Sequence, residues 1–369
     1  MAERTETEAP TPDSPRRRLG FLPERIPVRG TVLVLLSILI AVGVVVGTTA
    51  TLGAGRFTGA NWRSFTVDGI ARGSIYALIA MGYTLVYGIL FLINFAHGEV
   101  FMAGAFTSFF VAASLSQHGM LNSSPVLSIL ILLAVAMLTS MLVAMLLERV
   151  AYRRLRGAPR LVPLITAIGA SLFLQYTFRG LYTAQAKGYP IPDAFRGSVN
   201  ILGVPFQRAQ VIVIAATIVL VTILSLFISR TRTGRSMRAV GEDKEIASLM
   251  GINVDRTIVT TFALGGLLAG AAGILYVLLF QQVIFTMGFV AGIKAFTAAV
   301  LGGIGSITGA AIGGVLLGLL ETVGLYLFLS GANVPGLNQL QPVVAFGILV
   351  LVLIFRPGGI LGVSEEKRA

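Results

Sequence analysis

Residues 73–106 read GSIYALIAMGYTLVYGILFLINFAHGEVFMAGAF, two apolar runs joined by a short polar break that ends at Glu99. A helix needs about 20 mostly apolar residues to cross the hydrocarbon core of a bilayer. The apolar stretches on either side of the break, 69–92 and 99–116, are close to that length. This part of the sequence therefore predicts two membrane helices that meet at a polar break.

The composition of the whole chain agrees with a membrane protein. Of its 369 residues, 55% are hydrophobic and only 12% are charged, whereas an ordinary soluble domain has roughly 25% charged residues. Cysteine is absent and histidine occurs twice, which excludes thiolate chemistry and supplies little for histidine-based sites. We therefore predict no catalytic residue, no metal site and no cofactor.

Over the whole chain, ten apolar segments are candidate membrane spans. They are 31–52, 69–92, 99–116, 125–147, 161–182, 209–229, 257–280, 288–304, 308–329 and 341–355. Two of these, 288–304 and 341–355, are short for a full crossing, and the glycine-rich stretch 302–318 is equally compatible with a re-entrant pair. The predicted fold is all-α: a polytopic integral membrane protein with eight to ten transmembrane helices and Gly-broken or re-entrant segments.

The net charge of +12 is concentrated in basic blocks between the apolar runs. Basic loops of membrane proteins lie on the cytoplasmic side. Ten crossings that begin inside return every block to the cytoplasm, place the loop 183–208 outside and make both termini cytoplasmic. Residues 1–30 are polar and predict a disordered cytoplasmic tail. The run 31–52 is longer than a signal-peptide core of about 7–15 residues, so we interpret it as a retained, extra N-terminal transmembrane anchor.

The basic segment 230–256 contains the pattern of a short amphipathic helix. Acidic residues favour the N-terminus of a helix, and those at its start are Glu242, Asp243 and Glu245. Apolar residues spaced i, i+3 and i+4 form one stripe; they are Ile246, Leu249 and Met250. Gly251 stands where the helix would end. Such a helix either lies against the membrane surface or docks another protein.

Few polar residues fall inside the predicted spans. A proton pump or an ion-coupled carrier usually places several carboxylates at mid-membrane depth, but only Glu99 and Glu321 suit that role here. The chain also has no G-x-x-x-x-G-K-[ST] phosphate-binding motif. Energy would therefore come from another subunit, or the chain is a passive pathway.

At this point the sequence resembles a known family. Glu245-Ile246-Ala247, followed four residues later by Gly251, resembles the E-A-A-x-x-x-G coupling loop of ABC importer permeases, with Ile246 replacing the first Ala. Residues 73–106 and 292–321 resemble the Liv-type permeases, which import branched-chain amino acids. The segments 148–154 and 356–362 also fit, and the likeness covers 66–363.

The resemblance implies a transport subunit and not an enzyme. Residues 66–363 would be the permease domain of a bacterial cell-membrane protein that moves branched-chain amino acids inward. Its implied partners are a second permease subunit, usually a different chain, a cytoplasmic ATPase dimer and an external binding protein. The residues implied in ATPase coupling are Glu245, Ala247, Leu249 and Gly251. The substrate would be an amino acid, membrane lipid would surround the subunit, and no nucleic acid would bind.

The polar break is the main candidate for a place in the pathway. Its candidate residues are Asn94, His97 and Glu99, and further along the chain Lys294, Gly303 and Gly305. Glu99 and His97 either satisfy backbone groups and cap the helix that begins near Glu99, or they form a gate or contact the substrate. The run Gly98-x5-Gly104-Ala105 echoes Gly303-x5-Gly309-Ala310, as an internal repeat would.

Three other functions remain open from the residues alone. A permease of the same family for urea or short amides would differ only in its cargo. An ion-coupled secondary amino-acid carrier would need no ATPase. A channel or sensory protein would need no docking helix. The segment 240–251 favours the ATP-driven importer over the last two.

Overall fold

The computed structural model describes residues 28–159, 161–201, 204–332, 336–356 and 358–362, and these are mostly helical. The α-helices are α1 Val28–Gly53, α2 Gly59–Leu90, α3 His97–Gln117, α4 Met120–Ser123, α5 Pro125–Leu147, α6 Leu161–Tyr182, α7 Arg208–Arg230, α8 Arg232–Glu242, α9 Lys244–Leu249, α10 Val254–Phe280, α11 Met287–Gly302, α12 Ile307–Leu319, α13 Leu325–Leu329 and α14 Gln341–Phe355. The strands are β1 Lys187–Gly188, β2 Ser198–Ile201, β3 Val204–Gln207 and β4 Gln282–Val283. The all-α, polytopic prediction is confirmed.

Within the described residues, seven helices are long and apolar enough to cross a membrane. They are Gly59–Leu90, His97–Gln117, Pro125–Leu155, Leu161–Tyr182, Arg208–Arg230, Val254–Phe280 and Ile307–Leu329. Shorter apolar helices cover the remaining three predicted segments: Ser37–Gly53, Met287–Gly302 and Gln341–Phe355. Each of the ten predicted segments is therefore helical, and 288–304 and 341–355 are short as expected.

The chain divides into two units, one ending at Val46 and the other beginning at Gly47. Helix α1 runs through this boundary. Of the predicted tail 1–30, residues 1–27 lie outside the described part of the chain. The interpretation of 31–52 as an extra anchor stays a prediction. The functional features described below all belong to the second unit.

Contacts group the helix ends of the second unit into two opposite faces. We name one of them the basic face, because it contains Arg153 and Arg156. On the basic face, Arg153, in the 3₁₀ turn Arg153–Leu155 that follows α5, donates to Asp255 in the first turn of α10, at 2.6 Å. On the opposite face, which we name the hairpin face, β1 pairs antiparallel with β4, the strand that follows α10. There Asn122 also donates to Asp193 at 2.8 Å. Helix α10 thus runs from the basic face to the hairpin face.

The second unit contains a repeated helix–break–helix motif. Helices α2 and α10 each end at a left-handed residue, Phe91 (φ 55°) and Gln281 (φ 53°). After similar breaks, α3 and α11 begin at His97 and Met287, whose N–H groups donate to carbonyls three residues back. Lys244, next to the basic face, lies over Phe91, whereas Gln281 adjoins β1 on the hairpin face. The two copies therefore run in opposite directions.

The predicted internal repeat is present, but its register differs from the sequence echo. Gly98 and Gly288 are each the second residue of the helix that follows the break. Gly303 instead follows the end of α11 with φ 105°. The pairing of Gly98 with Gly303 is therefore wrong, because two glycines at a fixed spacing do not distinguish a helix start from a helix end.

Small residues set the close packing between helices of the second unit, as the G-xxx-G spacing predicts. Helix α12 lies against α2, where a Cβ on Gly314 would be 2.4 Å from the Ala77 Cα atom. Helix α10 lies against α5, where a Cβ on Gly270 would be 2.4 Å from the Ala136 carbonyl oxygen. Only glycine fits these two crossings.

Candidate functional site

The segment that follows α7 folds into the predicted short helix. Thr231 caps α8, with its Oγ1 accepting from the Gly234 N–H at 3.0 Å. Asp243 caps α9, with its Oδ1 accepting from the N–H groups of Glu245 and Ile246 at 2.8 and 2.9 Å. Glu242 ends α8, so the expectation that it opens α9 is wrong: Asp243 is extended and separates the two helices.

The end of α9 also follows the prediction. Gly251 has φ 80°, and its N–H donates to the Ser248 carbonyl oxygen at 3.0 Å. A left-handed residue at this place is the usual end of a helix, and glycine adopts it without strain. The chain can therefore turn directly from α9 into α10.

Helix α9 presents its apolar side to the solvent. The exposed fractions are 60% for Ile246, 86% for Leu249 and 78% for Met250. Ala247 alone faces inward on this helix, at 3%. Three large apolar side chains in one exposed stripe on a polar loop are typical of a protein-contact surface.

An ion cluster lies close to the start of α9 on the basic face. Arg156 pairs with both Glu148 and Asp255, and Arg153 pairs with Asp255. Lys244 at the start of α9 lies 5.9 Å from the centre of the Phe91 ring. Partial burial, reinforced by the positive charge of Arg156, lowers the pKa of the Lys244 ammonium. The cluster ties the segment after α5 to the start of α10, and the contact between Lys244 and Phe91 joins α9 to the end of α2.

The polar break brings together buried groups from several helices. The exposed fractions of Asn94, His97 and Glu99 are 3%, 2% and 0%. Asn94 Oδ1 accepts from the Tyr152 hydroxyl at 2.6 Å, and Glu99 Oε1 accepts from the Ser171 hydroxyl of α6 at 3.2 Å. Among the described residues, His97 Nε2 and Glu99 Oε2 have no hydrogen-bond partner. The break is therefore a buried polar junction between helices.

The structure does not support the expected capping role of Glu99. Helix α3 begins at His97, so Glu99 lies inside the first turn, and the described residues show no side-chain cap there. Its carboxylate instead reaches Ser171, and its Oε2 atom lies beside Gly288, where a Cβ would be 2.4 Å away. The helix begins two residues earlier than the sequence pattern suggested, which moves Glu99 from the helix end to a helix interface.

The glycine candidates are in the loop between α11 and α12. Gly303 and Gly305 have φ 105° and 97°. Residues 358–362 fold against this loop, where Leu361 N–H donates to the Gly302 carbonyl oxygen at 2.9 Å. A Cβ on Gly303 would lie 2.3 Å from the Gly362 nitrogen. Gly303 therefore serves a close backbone contact, whereas Gly305 is exposed.

Lys294 of α11 forms a buried ion pair with Glu321. Glu321 lies in a π-helical turn, Leu320–Gly324, that joins α12 to α13. Lys294 Nζ also donates to the Tyr76 hydroxyl at 3.2 Å. The sequence places both Lys294 and Glu321 in predicted membrane spans. It does not show that they pair, because 27 residues separate them.

An α-helical membrane protein with inverted repeats around buried polar groups has the architecture of a transporter. Residues 65–353 match the family described as branched-chain amino acid transport system / permease component, and the chain belongs to that family. The resemblance found in the sequence is thereby confirmed.

Named relatives support the same family. The chain is 46% identical over 305 residues to the high-affinity branched-chain amino acid transport system permease protein BraD of Pseudomonas aeruginosa, covering 82% of this chain and 96% of BraD. It is 41% identical over 310 residues to LivH of Escherichia coli, with the same coverage. It is 27% identical over 301 residues to a probable LivH of Methanocaldococcus jannaschii, covering 81% of this chain and 92% of that protein.

Membership of this family defines the chain as a multi-pass membrane subunit of a transporter and not an enzyme. Permeases of this kind work with an ATPase and a binding protein.

Proposed function

We propose that the chain is a transmembrane subunit of an ABC importer that moves branched-chain amino acids into the cytoplasm. The observation that carries the proposal is the exposed apolar stripe of α9, held on capped helices at the basic face. The cargo follows from relatives at 41% and 46% identity whose names specify branched-chain amino acids. Glu245, Ala247, Leu249 and Gly251 form or shape the ATPase contact.

The basic face is the cytoplasmic side in this proposal. The ion cluster and α8 contain arginines such as Arg153, Arg154, Arg232 and Arg235, and basic loops remain in the cytoplasm. Ten crossings from this face place both termini in the cytoplasm and the hairpin face outside, in the bacterial cell membrane. The hairpin face would then receive the external binding protein.

The other partners follow from how such importers assemble. A cytoplasmic ATPase dimer docks at α9, and a second permease subunit, which is a different chain, completes the pathway. Asn94, His97 and Glu99 belong to the polar junction that rearranges between inward-open and outward-open states. Gly303 and Gly305 lie in the adjoining loop at the cytoplasmic side.

Competition for uptake tests the cargo. Cells that lack other leucine importers and express the complete transporter should accumulate labelled leucine. Unlabelled isoleucine and valine should compete, whereas urea and acetamide at the same concentration should not. Competition by urea or acetamide, but not by valine, would replace this proposal with a permease for short amides.

A further inference from the structure

A cavity of about 200 Å³ lies between α2, α10, α11 and α14 in the second unit. Its volume is many times the ~15 Å³ that one buried water needs. Its lining includes Gln282 of β4 and Gln341 at the start of α14, so it lies towards the hairpin face. It is thus large enough for a small organic molecule.

Two cationic side chains line this cavity, each with a nearby carboxylate. Arg72 Nε donates to Asp68 at 2.8 Å, and its Nη1 donates to Gln341 at 3.3 Å. Lys294 donates to Glu321 and to Tyr76. A guanidinium has five N–H donors and an ammonium three, so both cations keep donors beyond these contacts. The cavity therefore holds spare donors suited to a carboxylate.

The charges of the cavity restrict the class of ligand. Arg72 balances Asp68, and Lys294 balances Glu321, so these four groups sum to zero. A net anion or cation would leave an uncompensated charge inside the membrane, which is costly. A zwitterion adds no net charge and still offers a carboxylate to the cations.

The remaining lining is suited to an apolar side chain. It includes Tyr276, Phe280, Met287 and Val290. Aromatic and aliphatic surface of this kind binds an alkyl group by excluding water. Gln282 and Gln341 add amide oxygens that can accept from an ammonium group.

We propose that this cavity is a binding station for a zwitterionic, apolar amino acid near the hairpin face. Arg72 and Lys294 bind its carboxylate. The apolar lining formed by Tyr276, Phe280, Met287 and Val290 binds its alkyl chain. The proposal rests on the proposed function and adds to it the place where the cargo stops in this subunit.

Cysteine protection in the complete reconstituted transporter tests the station. The chain has no cysteine, so Val290→Cys places one thiol in the cavity, and Ser225→Cys places one in a separate cavity as the matched control. Saturating leucine should slow thiol labelling at position 290 by about tenfold, as site occupancy requires, and leave position 225 unchanged. Isoamylamine, which lacks the carboxylate, should not protect.

Further variants assign the carboxylate contact. In the Val290→Cys background, Arg72→Gln should remove protection, Arg72→Lys should keep part of it, and Arg63→Gln, an exposed control on the same helix, should keep all of it. The paired change Lys294→Gln with Glu321→Gln should also remove protection without leaving an unpaired charge. An unaltered labelling rate without leucine shows that each variant is folded.

Uptake in the same preparation separates the two proposals. ATP-driven leucine uptake without any protection at position 290 would overturn the station and leave the function intact. Protection without ATP-driven uptake would support the station and contradict the function. Equal protection by isoamylamine, or protection that survives Arg72→Gln, would overturn the carboxylate contact.

Discussion

Gly98 and Gly288 meet where the two inverted repeats cross: a Cβ added to Gly98 would lie 2.2 Å from the Gly288 carbonyl oxygen. Each glycine is the second residue of the helix after a break. The polar junction at Glu99 and the cavity at Lys294 lie along the two helices that begin there. This contact therefore joins the helix that carries the polar junction to the helix that carries Lys294.

Enlarging this contact should destabilise the protein. Gly98→Ala forces backbone to move, and overpacking of this kind costs typically about 1–3 kcal/mol. We expect a lower unfolding temperature for the purified protein in detergent. Gly88→Ala, a helical glycine of α2 with open space around its Cβ position, should not lower it. Equal stability of the Gly98→Ala and wild-type proteins would contradict the observed close approach.

The exposed stripe of α9 should be needed for coupling but not for folding. Leu249 is 86% exposed, so Leu249→Glu should leave yield and unfolding temperature unchanged while it prevents ATPase binding. Ser248→Ala on the same helix is the matched control and should bind the ATPase normally. Co-purification of ATPase with the permease measures this, and normal recovery with Leu249→Glu would exclude α9 as the docking site.

Gly251 should be required for the orientation of α9 relative to α10, because it forms the turn between them. Gly251→Pro cannot adopt φ 80° and removes the N–H that bonds to Ser248. We expect insertion into the membrane to persist and ATP-driven uptake to be lost, and Glu245→Lys should act in the same direction. Uptake at the wild-type rate in both variants would refute the coupling role of this segment.

Labelling from outside tests the orientation. Single cysteines at Ser198 in β2 and Ser236 in α8 lie on the hairpin and basic faces. An impermeant thiol reagent should modify position 198 in intact cells and position 236 only after permeabilisation. The reverse pattern would invert the orientation, and with it the assignment of the docking surface.

Replacing Glu99 should have a small effect if its role is structural. Glu99→Gln keeps an oxygen that accepts from Ser171, so we expect uptake per inserted molecule to change by less than tenfold. His97→Ala should lower protein yield, because it empties a buried position beside Gly82. A loss above about tenfold for Glu99→Gln at unchanged yield exceeds the ~1 kcal/mol of one neutral hydrogen bond and would favour a charged gate.

The helices were largely predictable because their apolar length is a local property of the sequence. The segment 161–182 coincides with α6, and the α9 pattern with its acidic start and final glycine gave the correct short helix. The start of α3 was misplaced because Ala96, the residue directly before the helix, is not a usual capping residue. Turn geometry at such a break depends on tertiary packing.

The partners within the candidate site could not be predicted in the same way. Glu99 and Ser171 are separated by 72 residues, and Arg156 and Asp255 by 99. Their contacts depend on how α6 and α10 cross other helices, and those crossings are set by glycine contacts that span the two repeats. A single sequence shows which polar groups are intramembrane but not which ones meet.

The most direct test of the central claim is leucine uptake by proteoliposomes that contain the purified permease pair, its ATPase and the binding protein. We expect leucine accumulation to require ATP on the side of the membrane where the ATPase is bound, and to persist when sodium and proton gradients are dissipated. The variant Leu249→Glu should abolish this accumulation, whereas Ser248→Ala should not. Uptake that follows an ion gradient without ATP, or that is unaffected by Leu249→Glu, would contradict the account.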